Sequence, residues 1–67
     1  MDIDTIGLWA GLVWTALDEQ GTLSVKGLKK ATKLKEKEIY AALGWLAREG
    51  KINIAVDDEN VMVSLVG

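Results

Sequence analysis

Two short apolar alternations near the end of this chain constrain its fold more than anything else in it. Ile52, Ile54 and Val56 recur at every second position, Asp57-Asp58-Glu59-Asn60 interrupts them, and Val61, Val63 and Leu65 resume the same period. A period of two with a polar break between the runs predicts a β-hairpin, with strands near 52–56 and 61–65. A turn of those four residues sets Val56 against Val61, Ile54 against Val63 and Ile52 against Leu65. All six then share one face, and a slip of one residue would turn every one of them outward. Asn53, Ala55, Met62 and Ser64 make up the other, half-polar face. A hairpin alone is marginal in water, and the rest of the fold is set by the residues before it.

Those residues read as helices. Thr5 to Glu19 places Ile6, Ala10, Val13 and Leu17 on one stripe at helical spacing, flanked by Trp9 and Trp14, with Asp4 as the expected N-cap and Gly21 as the stop. Thr22-Leu23 is long enough only for a bridge-length strand. Ser24 then caps a short helix, 25–31, with Val25 and Leu28 inward. Gly27 inside it costs roughly 1 kcal/mol relative to Ala, and a close approach of the neighbouring helix is the expected reason. A third helix, 36–49, opens with Leu34 and Ile39 at hydrophobic-staple spacing and with Glu38 where a capping box places its acid. Lys35 occupies its cap position and has no acceptor to offer, which forgoes on the order of 1 kcal/mol. Ile39, Ala42, Leu43 and Leu46 face inward, Trp45 packs between them, and Gly50 closes the helix.

The expected architecture is mainly α with a C-terminal β-hairpin, in the order of a winged helix-turn-helix. Sixty-seven residues suffice for a single domain, 1–67. The chain has neither Cys nor His. Thiolate and imidazole chemistry are therefore excluded, and no catalytic residue, metal site or cofactor is expected. No pocket-forming motif points to a small-molecule substrate. The uncharged stretch Thr5–Leu17 is too short for a membrane span and follows acids rather than bases, so the expectation is a cytoplasmic protein without a membrane partner.

Charge is sharply segregated. All eight basic residues lie between Lys26 and Lys51 with only Glu36, Glu38 and Glu49 among them, a local charge of +5. The rest of the chain carries seven acids and no base, which returns the total to −2. Such a segment selects anions, and double-stranded DNA is the expected partner. In a helix-turn-helix the amino end of the third helix enters the major groove while the second crosses the backbone. Lys26, Lys29, Lys30, Lys33, Lys35 and Lys37 are accordingly the candidate phosphate contacts, with Tyr40 beside them. The outward residues Glu36, Lys37, Tyr40, Ala41 and Gly44 form a poor base-reading set, and the wing tip is acidic, so binding should lean on phosphates and shape.

The run Ala42-Leu43-Gly44-Trp45-Leu46-Ala47-Arg48-Glu49-Gly50-Lys51-Ile52 contains the Leu-x-x-Leu-x-x-Glu-Gly-Lys-Ile pattern that joins recognition helix to wing in many winged-helix regulators. Together with Ile6-Gly7, Ala10-Gly11 and Val13-Trp14, it resembles a family of small stand-alone prokaryotic winged helix-turn-helix proteins filed as a domain of unknown function. The resemblance runs from about Ile6 to Leu65. It implies the winged fold and, by analogy, a nucleic-acid role as a small transcriptional regulator.

Helix one carries more apolar surface than its core stripe uses. Leu8 and Leu12 lie nearly opposite that stripe, and Gly7 and Gly11 bare a strip beside Trp14, which predicts a homodimer formed through this helix. The alternative function is a winged-helix module that binds an acidic protein rather than DNA.

Overall fold

The computed structural model describes residues 2–66. Helix α1 (Ile3–Gln20) begins two residues earlier than its sequence suggests, because Asp2 rather than Asp4 caps it. The Asp2 carboxylate accepts the Thr5 backbone N–H at 2.7 Å, and Asp4 stands in the first turn, where the helix dipole favours an acid. The helix stops at Gly21, whose φ of 81° needs a residue without Cβ and whose N–H donates to the Leu17 carbonyl at 2.8 Å.

Strand β1 (Leu23–Ser24) leads directly into helix α2 (Val25–Thr32), and helix α3 (Glu36–Arg48) follows after a three-residue turn. Strands β2 (Ile52–Asp57) and β3 (Asn60–Leu65) then form the wing. The three strands are antiparallel in the order β1-β3-β2, with Leu23 opposite Val63. The wing register pairs Ile52 with Leu65, Ile54 with Val63 and Val56 with Val61, as the alternation requires. Asp57 also pairs with Asn60, so the connecting loop is Asp58-Glu59 rather than four residues, with Asp58 in the left-handed region at φ 49°.

The core collects Ala10, Val13, Ala16 and Leu17 from α1, Val25 and Leu28 from α2, and Ile39, Ala42, Leu43 and Leu46 from α3. Ile52 and Val63 of the wing complete it, and Trp9, Leu23, Leu34, Trp45, Val61 and Leu65 pack around it. Ala16 takes the place expected of Ile6, which is only half-buried. No polar side chain among the described residues is buried, so the interior is held by apolar burial, worth ~1.5–3 kcal/mol for each fully buried large side chain.

Two apolar residues on the inward face of the hairpin are not covered. Ile54 is 47% and Val56 75% exposed, because the helices reach only β3 and the Ile52 end of β2. No atom of a neighbouring helix comes nearer to the Cβ position of Gly27 than Leu23 and Ser24 do. A Cβ placed there would lie 3.4 Å from Leu23 Cδ2 of β1 and from Ser24 Oγ, and 3.7 Å from Leu23 Cβ.

Candidate nucleic-acid interface

The lysine face is assembled by the α2–α3 connection. Ser24 opens α2 by accepting the Gly27 N–H at 3.0 Å, and burial of Val25 and Leu28 leaves Lys26 and Lys30 exposed and Lys29 half-buried at the flank. At the other end, the Thr32 hydroxyl donates to the Leu28 carbonyl at 2.6 Å and accepts the Leu34 N–H at 3.2 Å. That clasp lets Lys33 turn the chain in the left-handed conformation, φ 65°, with its N–H donating to the Lys29 carbonyl at 2.9 Å. Glycine or asparagine usually fills such a position. Leu34 packs against the core between Lys33 and Lys35, which both remain exposed.

Only half of the capping box at α3 is made. The Glu38 carboxylate accepts the Lys35 N–H at 2.8 Å, but an ammonium cannot return a bond to the N3 amide. Three consecutive segments, the last turn of α2, the connection and the first turn of α3, therefore present Lys30, Lys33, Lys35 and Lys37 to solvent at the positive end of the α3 dipole. None of the four has an acid within 4 Å among the described residues.

The remaining three candidates stand apart. Lys26, Lys29 and Tyr40 border an open groove of about 310 Å³ whose other wall is the wing turn, with Glu59 and Asn60. Glu36 also lines it, and its carboxylate lies 3.7 Å from the Lys29 ammonium. Acid thus reaches this half of the face from two elements. Arg48 is a further exposed cation, outside the residues that the sequence suggests for DNA contact. It shares the outer stripe of α3 with Lys37, Ala41 and Gly44, spacings of four, three and four residues that recur on one helical face. That spacing marks it in the sequence, three turns from the amino end of the helix.

On α1, Leu8 is 71%, Leu12 49% and Trp14 40% exposed. A groove of about 300 Å³ runs over Gly7 and Gly11 between Trp14 and Trp45. Leu8 and Leu12 border a second, shallower one with Trp9 and Leu34. Among the described residues there is no cluster of His, Cys, Asp or Glu that could hold a metal ion, and no helix long and apolar enough to cross a membrane.

Three helices closed by a short three-stranded sheet, with a tight α2–α3 turn and a two-stranded wing, define a winged helix-turn-helix protein. Residues 1–65 match the family model described as "Winged helix-turn-helix domain (DUF2582)", and the chain belongs to that family. The solution structure of protein BT2368 from Bacteroides thetaiotaomicron is 34% identical and superposes with a TM-score of 0.87, covering 97% of this chain and 79% of that one. BpsR of Bordetella bronchiseptica, whose DNA binding is regulated by 6-hydroxynicotinic acid, shares the fold at 20% identity and a TM-score of 0.84, over 98% of this chain and 52% of that one. Reduced HlyU from Vibrio cholerae shares it at 20% identity and 0.67, over 97% and 80%. A comparison with curated proteins gives no match.

Proposed function

We propose that this protein is a non-enzymatic, cytoplasmic DNA-binding regulator whose lysine face grips the phosphates of duplex DNA and reads little of the base sequence. One observation carries the proposal: Lys30, Lys33, Lys35 and Lys37 stand exposed and unopposed around the amino end of α3, the end that a helix-turn-helix points into the major groove. Lys26, Lys29 and Tyr40 extend the contact along the wing groove. The DNA binding of BpsR, which shares the fold, agrees with this reading.

The salt dependence of binding tests it. Four to six phosphate contacts give a slope of log K against log[salt] of about −3.6 to −5.4. Single Lys→Ala changes at Lys30, Lys33, Lys35 or Lys37 should each flatten the slope by about 0.9 and weaken unrelated sequences alike.

A second reading has its own support in Glu59, which stands across the groove from Lys26 and Lys29 where a DNA-reaching wing would carry a base. On that reading the lysines receive an acidic protein. Undetectable binding to random duplex at ~50 mM salt, where phosphate-led binding is near its strongest, would leave this second reading as the better one.

A further inference from the structure

Strand β2 is the open edge of the sheet. In an antiparallel pair the backbone groups of alternate residues point to opposite sides. The Val66 N–H donates to the Lys51 carbonyl at 3.0 Å, so Lys51, Asn53, Ala55 and Asp57 direct their backbone groups toward β3. Ile52, Ile54 and Val56 direct theirs outward. From Ile52 to Val56 this edge carries no charge, no Pro and no break in register, none of the devices that usually keep an open strand unpaired. It also bears the exposed side chains of Ile54 and Val56.

We propose that this edge pairs antiparallel with β2 of a second copy of the chain, centred on Ile54, joining two three-stranded sheets into one of six strands. The side chains select that register. With Ile54 opposite Ile54 of the second copy, Ile52 meets Val56 on the apolar face, and Lys51 meets Asp57 on the other face, once at each end. Centred on Asn53, the pairing would set Lys51 against Ala55 and Val56 against Gly50. Centred on Ala55, it would set Asp57 against Asn53 and Ile52 against Asp58. Only the Ile54 register opposes Lys51 to Asp57 while matching all three apolar pairs, and opposite charges on facing strands favour association.

The outer face of α1 is the rival surface for a second copy. It is flanked by Asp2, Asp4, Asp18 and Glu19, and no base occurs in the helix. Two copies laid along it bring the acids at the helix ends together, with Lys51 and Glu49, 3.7 Å apart, at the rim of the Gly7–Gly11 groove; at the β2 edge Lys51 meets Asp57 instead.

Sedimentation equilibrium at tens to hundreds of micromolar, with backbone amide exchange read by NMR, tests the proposal. The expected mass is twice the 7.3 kDa of one chain, and the Ile54 and Val56 amides gain protection as concentration rises. Asp57→Lys sets lysine against Lys51 and should raise the dissociation constant about ten-fold, Lys51→Asp likewise, while the double exchange restores it. Both positions are exposed, so thermal melts should show each variant folded. A monomer at the highest concentration, or a dimer that Asp57→Lys leaves intact, overturns the proposal. So does a dimer lost only with Leu8→Glu and Leu12→Glu, which would place the second copy on α1.

Discussion

The Lys29 ammonium and the Glu36 carboxylate approach to 3.7 Å across the turn that joins α2 to α3. Both side chains are substantially exposed, so the pair adds less than ~1 kcal/mol to folding. Its consequence lies in the charge offered to a ligand. Among the described residues, Lys29 is the one lysine of the six on this face with an acid inside ion-pair distance.

Glu36→Gln should therefore strengthen binding to duplex DNA at low salt and steepen the salt slope by up to about 0.9, since Lys29 is released to a phosphate. Lys29→Ala in the unaltered background should weaken binding less than Lys33→Ala or Lys37→Ala. Fluorescence anisotropy across a salt series measures both. Equal losses from all three lysines, with no gain from Glu36→Gln, would show that the ion pair does not compete with DNA.

Gly27→Ala should stabilise the protein by up to about 1 kcal/mol, the helix-propensity difference between the two residues. The new methyl group lies at ordinary contact distance, 3.4 Å, from Leu23 Cδ2 and Ser24 Oγ, so little has to move. A thermal melt that falls instead would mean that Leu23 cannot yield without disturbing its pairing with Val63.

Much of this arrangement is legible in the sequence, and the misses share a physical cause. The wing register follows from the alternation of Ile52, Ile54 and Val56 against Val61, Val63 and Leu65, because only one pairing puts all six on one face. That pattern fixes a face but not how far the helices extend over it, so the exposure of Ile54 and Val56 could not be read from it. Asp4 has the chemistry of a cap and stands just before the uncharged stretch, so local pattern alone starts α1 there. With Ile6 half-buried and Ala16 inside, the helix is free to start at Asp2. Glu59 shares a groove with Lys26 and Lys29 across some thirty residues of sequence, and no local pattern encodes that placement. The lysines themselves were plain from composition and helical position, since exposure of Lys on a short amphipathic helix follows directly from burial of Val25 and Leu28.

The cap of α1 should leave a signature in acid. The backbone N–H of Thr5, and then its side chain, hold the Asp2 carboxyl below its ordinary value. A folded-state pKa below the unfolded one means that the cap contributes fully above the unfolded value and is lost as pH falls through the folded one. Asp2→Asn keeps an acceptor and should abolish this acid dependence, while Asp2→Ala should lower the melting temperature at neutral pH as well. The Thr5 amide shift followed through an acid titration reports the bond directly. If it moves identically in wild type and Asp2→Ala, the bond is absent in solution.

Lys35→Ser separates what this position does for the fold from what it does for DNA. Serine would supply the missing acceptor for the Glu38 amide while Glu38 keeps its 2.8 Å bond to the N–H of residue 35, completing the capping box. The expected gain in stability is about 1 kcal/mol. The same change removes one unopposed cation beside the amino end of α3, so DNA affinity should fall for all sequences and the salt slope should flatten by about 0.9. A variant that is more stable and binds DNA less well would show that Lys35 is retained for its charge at the expense of the helix start. If stability rises and DNA binding is unchanged, Lys35 lies outside the phosphate contact, and the grip must rest on Lys30, Lys33 and Lys37.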